Sequence, residues 1–380
     1  MAGDDLKVAT LLPNNFRIAE VVPHGPLPHP HPPAPAPSLG PLAAFVGNFH
    51  GNGFNTIFRP NSTQTPTPLP SGPAVGDNVL ELNLTSETLS FSSPLGSVPN
   101  RGMVQGDAFL NGVPYLQSIN DVTIAGQTTG IHLEPGLWVI VPPTTNPQEV
   151  TTFVRMASIP HGTTINAQGT ARTFAGPPTI PAVSITPSSL ATGGPIVFPS
   201  QTATNAHTPR IPQDLGPFIA AGTITQAMLD DPNSVLRNRL VGQHVISTTE
   251  ISISTSPVVP LIGGGTDNIA FLIPNADAVQ MTATFWIETI EHTIVLPQPV
   301  PNQPLHVQPK PVGPGPLAHL VPTFTLTPPH GITAGHTIKL RSTQIQYTQT
   351  VFLNFNRLRW PHVSVATLVP AGAITTPWPT

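Results

Sequence analysis

The chain contains no cysteine in its 380 residues. That excludes disulfides, thiolate metal ligands, iron–sulfur clusters and a cysteine nucleophile together. Charge is nearly as scarce. Asp, Glu, Lys and Arg make up 8% of the residues, against about 25% in ordinary soluble domains. The formal net charge of −4 supplies no basic field, which argues against nucleic acid as a partner. So few like charges do little to hold molecules apart, and homo-oligomerisation is expected. No run approaches about 18 unbroken apolar residues, so no membrane-spanning helix is expected. The opening MAGDDLKVATLLPNNF has two acids and an apolar run broken by Pro13. It lacks the basic start of a secretory signal, and a cytoplasmic location is the expectation.

Several catalytic motifs are also missing. There is no phosphate-binding G-x-x-x-x-G-K-[ST], no H-E-x-x-H zinc helix and no G-x-S-x-G serine elbow. The run Gly263-Gly264-Gly265 lacks the order of a dinucleotide loop. Glu288 and Glu291 would point to opposite faces of one strand, so they form no ready pair for sugar hydrolysis. Histidines and an apolar interior remain as the candidates for function.

Proline, by contrast, is abundant, with 51 residues. Residues 22–41 are proline-rich and read as part of an extended N-terminal arm, 1–41. His24, His29 and His31 fall there with no carboxylate nearby to complete a metal site, and are read as solvated. A second proline-rich stretch spans 297–330. Between and beyond these lies β-prone sequence with glycine or proline at the joints. Residues 78–93 alternate, with Val79, Glu81 and Asn83 on one side and Leu80, Leu82 and Leu84 on the other, which predicts a half-buried strand. A turn is expected at Thr85–Glu87, followed by a second short strand. Further strands are expected at 108–110 with 115–118, then 130–141, 151–159, 163–168, 244–256, 278–296 and in a C-terminal pair. That spacing reads as an antiparallel meander. Two short helices are expected between Gly222 and Gly242. One follows a T-x-x-Q box at Thr223–Gln226; the other is capped by Asp231 and has Pro232 at its first position. The organisation expected is one barrel domain, 42–380, with an insertion at 170–277.

The stretch GNFHGNGFN at 47–55 places three glycines in a strand. Glycine lets the first strand of a closing barrel bend and its backbone approach a neighbour. Phe49 would then plug the barrel and His50 would face outward. The same stretch, in LAAFVGNFHGNG, resembles the opening motif of the nitrobindin-type haem-binding β-barrels, with Phe49 where tryptophan is usual. GIHLEPGLW at 130–138, the segment from Thr152 through Pro160-His161-Gly162 to Gly169, and Tyr347–Leu353 followed by LRWPHV at 358–363 are similar to later segments of that family, in the same order. The resemblance covers 42–169 and 337–369.

The resemblance implies an all-β, closed antiparallel calycin-like barrel of about ten strands, related in shape to lipocalins. It also implies b-type haem bound through one imidazole, with His362 at the iron-ligand position, and nitric oxide binding with peroxynitrite-isomerase or peroxidase-like activity. His161, at a turn near the mouth, is a candidate distal group, with a solvent-facing role as the alternative. His132 and Glu134 share a strand face, either as a buried hydrogen bond or as an acid–base pair. Met156, Met281, Phe285, Phe352 and Trp138 are expected to line or floor the cavity, although such residues also serve as plain core. Two other readings stay open: a haem-free carrier of a lipid or pigment, and a self-assembling structural barrel.

Overall fold

The computed structural model describes residues 35–314 and 319–379. Most of the proline-rich arm, with His24, His29 and His31, lies outside the described residues. From Ala36 onward the chain forms one compact unit.

Ten long strands carry the fold: β1 (Gly47–Pro60), β2 (Asn78–Phe91), β3 (Ala108–Asp121), β4 (Thr129–Val141), β5 (Thr152–Ile159), β6 (Thr163–Ala175), β7 (His244–Ser254), β8 (Asp277–Val295), β9 (Thr337–Phe355) and β10 (Leu358–Pro370). Each pairs antiparallel with the next, and β10 returns to β1, with Asn55 opposite Ser364. The result is a closed up-and-down barrel with no free edge in the ring. The expected turn at Thr85–Glu87 does not occur. Residues 78–91 form a single strand, in which Thr85 and Glu87 are buried on the inner side. The two short strands expected between 108 and 118 are likewise one, running through Pro114.

The glycine-rich start of β1 makes the close approach the sequence suggested. A Cβ at Gly51 would collide with the Thr367 carbonyl oxygen of β10, and one at Gly53 with that of Val365. Phe49 is buried and His50 exposed. The deepest plug is nevertheless Phe45, from a 3-10 helix over Gly40–Phe45 that crosses the barrel base. Phe45 stacks on Phe91 at 4.7 Å between centroids and meets Trp138 at 5.5 Å; Trp138 meets Phe285 edge-on at 5.1 Å.

The insertion between β6 and β7 wraps the outer wall. It holds three helices: α1 (Gly216–Ala221), and then α2 (Gln226–Asp230) and α3 (Ser234–Leu240), the two expected between Gly222 and Gly242. Gln226 does not close a capping box. Its side chain instead ties the Ala203 amide and the Gln201 carbonyl. Asp231 accepts the Asn233 amide at 3.0 Å, and α3 begins two residues beyond the expected Pro232. On the barrel side, Phe198 stacks on Trp360, Trp360 packs on Phe58, and the Gln346 amide donates to the Leu236 carbonyl. Leu80 and Leu82 of β2, which alternate with Glu81 and Asn83, are buried under this cover. Part of the wall is therefore apolar on its outer side, contrary to a barrel that faces water there. The 297–330 stretch contributes strands at Leu305–Val307 and Phe324–Leu326 to a small sheet with Ile374–Thr375. That sheet has its own core of Ile294, Val307, Phe324 and Ile338.

Candidate functional site

Alternation along β4 places His132, Glu134, Gly136 and Trp138 in one inward column. Trp138 belongs to the packed base. Gly136 leaves room for the Tyr115 ring, which an added Cβ would strike. Glu134 sits in a buried polar layer, and His132 faces open space above it. The segment H-x-E-x-G-x-W thus reads as a ladder from cavity to base.

The polar layer joins several strands. Glu134 pairs with Arg155 of β5 at 2.6 Å, and both are almost fully buried. Tyr115 donates to Glu134, while Arg155 Nε donates to the Tyr115 oxygen at 2.8 Å and Nη1 to Gln349 at 2.6 Å. Arg155 also lies over the rings of Tyr115 and Phe285. Next to this cluster, Tyr347 donates to Glu87 at 2.6 Å, Thr85 donates to the other Glu87 oxygen at 3.0 Å, and Gln117 Nε2 donates to Tyr347 at 3.0 Å. Among the described residues none of these buried polar atoms lacks a partner, as a stable buried network requires. The two carboxyls diverge. Burial raises Glu87, which has no cation in direct contact. Burial opposes ionisation of Glu134 as well, but Arg155, with help from His132 and Tyr115, brings it down to about 2.

Above the layer the barrel is hollow. The cavity is about 520 Å³, within the range of small-molecule sites. Its wall includes Asn55, Asn83, Gln117, Gln349 and Ser364 among the polar groups, and Ile57, Ile159, Val351 and Leu353 among the apolar ones. Three imidazoles face it: His362 of β10, His132 of β4 and His161 of the β5–β6 turn. The His132 and His161 rings are 5.6 Å apart between centroids, and His132 Nε2 bonds to Glu134 at 3.1 Å. His161 is an exposed residue at the rim. Partial desolvation and the neighbouring His132 lower its pKa.

His362 lies deepest of the three. Desolvation, reinforced by His132 and His161, depresses it to about 3, so its imidazole is neutral at physiological pH. Asn55 Nδ2 lies 2.8 Å from both His362 Nε2 and Ser364 Oγ. An amide nitrogen can only donate, so Nε2 accepts and the single proton of the neutral ring sits on Nδ1. The Nε2–Asn55 contact is the hydrogen bond this ring makes among the described residues, and Nδ1 is left to the cavity.

Of the other residues singled out from the sequence, Trp138 and Phe285 are in the solid base beneath the polar layer and do not line the cavity. Met156 is 39% exposed, its neighbours Arg155 and Ala157 being buried. Phe352 is half-buried under the Arg359 guanidinium, 4.2 Å from the ring centroid, and is also absent from the cavity wall. Met281 is buried core. Glu87, Tyr115, Gln117, Arg155 and Tyr347 were not anticipated as a group. Of these, Glu87 alone had a sequence signal, the polar side of the β2 alternation.

These observations define the class: an all-β, closed ten-stranded, calycin-like barrel with an interior able to hold a ligand. No family model, no curated protein and no solved structure matches the chain. The nitrobindin resemblance therefore stands on its motifs alone. Among the described residues no helix is long and apolar enough to cross a membrane.

Proposed function

We propose that the chain is a small-molecule-binding barrel whose ligand lies in the upper cavity against His362. The observation that carries this reading is the His362 imidazole, held neutral on the wall of a cavity with two further imidazoles lining the same space. The ligand the sequence resemblance puts forward is haem b, with His362 as its anchor. A neutral imidazole suits iron, and without cysteine it is the strongest axial ligand the wall offers. In this structure, however, Nε2 is engaged by Asn55 and Nδ1 carries the proton. Iron would have to replace one hydrogen bond, whose net worth is about 1 kcal/mol. If haem is held there, it supplies an open iron position for diatomic ligands. The chain's own part is to keep His362 neutral, orient it through Asn55 and Ser364, and surround it with a largely enclosed wall.

A second reading, a haem-free carrier of an uncharged apolar molecule, is favoured by the same Asn55 contact. With Nε2 satisfied, the Nδ1–H of His362 is a donor awaiting an acceptor on a ligand. Hemin titration of the purified protein separates the two. Haem binding gives a sharp, stoichiometric Soret band that is lost in His362→Ala. A spectrum unchanged by the substitution, or no band at all, sinks the haem reading. Mass spectrometry of an organic extract then identifies an apolar ligand that needs no iron.

A further inference from the structure

The cavity wall carries no uncompensated charge. At the mouth, Arg59 and Glu81 line the space and pair with each other at 3.4 Å, both partly exposed. Deeper in, the nearest cation is Arg155. Its guanidinium is spent on Glu134, Tyr115, Gln117 and Gln349, and the glutamines stand between it and the cavity. Glu87 lies behind Tyr347 and Gln117 with its oxygens saturated by donors. Of the three imidazoles, His362 accepts the Asn55 amide on Nε2 and resists protonation down to about pH 3, while His132 is bonded to the Glu134 carboxylate. Everything else on the wall is an amide, a hydroxyl or a hydrocarbon.

A carboxylate brought into such a space would lose its hydration and gain no counter-ion, an outcome that disfavours binding strongly. A neutral oxygen acceptor meets no such penalty, and it satisfies the unpartnered Nδ1–H of His362. We propose that the cavity selects a ligand whose buried body is uncharged, an apolar molecule with a ketone, ester or hydroxyl oxygen beside His362, and that any carboxylate is confined to the Arg59–Glu81 mouth. This rests on the reading of the cavity as a small-molecule site and names the chemistry of what it takes.

The test uses two fluorescent probes that differ only in the head group, cis-parinaric acid and its methyl ester, titrated at pH 7.5. The ester is expected to bind the wild-type protein one-to-one and at least tenfold more tightly than the acid. Glu134→Gln strips Arg155 of its counter-ion and is expected to move the preference at least tenfold toward the acid. Val351→Arg, which adds a cation to the wall without touching the polar layer, moves it in the same sense and serves if Glu134→Gln does not fold. An acid that binds the wild type as tightly as the ester overturns the charge selection while leaving the cavity as a binding site. Variants that fold yet keep the ester preference also overturn it. If neither probe binds, the small-molecule reading and this inference fall together.

Discussion

The two ends of the barrel interior are built from the same alternating strands and yet do opposite things. The base is filled by Phe45, Phe49, Phe91, Trp138 and Phe285, ring against ring. The upper end replaces those rings with Asn55, Asn83, His132 and His362 and is hollow. Between them lies the Glu134–Arg155 and Glu87–Tyr347 layer, which separates a hydrophobic core from a cavity. The base contributes apolar burial, the layer holds the strands in one arrangement, and the hollow is the place where the proposed ligand would lie.

Trp138→Ala tests the base and should have the largest effect. Removing a fully buried indole from a close-packed cluster destabilises a fold by about 3–5 kcal/mol. The denaturant midpoint should fall accordingly, with ligand affinity in the surviving folded protein little altered. A loss of binding without loss of stability would place Trp138 in the site instead.

Arg155→Met tests the dividing layer. It leaves Glu134 buried beside an apolar side chain, and stranding a buried charge costs about 3 kcal/mol or more. The double change Arg155→Met with Glu134→Leu should recover most of that loss. The same pair sets an acid limit. Glu134 is held at about 2 in the folded chain against a reference value of 4.5, so the unfolded chain takes up the proton first. The stability this contributes is present above about pH 4.5 and is lost as the pH falls toward 2. Equilibrium unfolding across that window should show the decline in wild type and a flatter profile in the double variant.

Met156→Ala should do least. An exposed side chain on the outer wall is worth less than about 0.5 kcal/mol, and ligand titration should not register the change. A drop in affinity would mean that the outer wall, not the hollow, carries the site.

How legible this was in the sequence follows from the physics of each part. Period-two alternation and regular joints disclosed the meander, and the glycines of GNFHGNGFN disclosed the close approach of β1 to β10. His362 was reached through the resemblance of the last hairpin, and the structure sets it on the cavity wall. The polar layer was not legible because its partners come together only when the ring closes. Glu87 and Tyr347 are 260 residues apart in sequence. In β2 the stretch Thr85–Glu87 read as a turn, whereas Thr85 and Glu87 continue the inward face of one strand. The outward residues Leu80 and Leu82 are buried as well, because the insertion covers the outer wall there. Met156 and Phe352 were misplaced for a related reason: hydrophobicity alone does not say which side of a barrel wall a residue faces.

The central claim is that the hollow end is a binding site with His362 at its wall. Nitrogen-detected imidazole NMR on uniformly labelled protein follows every histidine while methyl parinarate is added. His362 is expected to be neutral and protonated on Nδ1, its signals shifting to saturation at one equivalent while those of the exposed His50 stay fixed. Signals that move only at surface histidines, or a His362 that does not respond to the ligand, would contradict it.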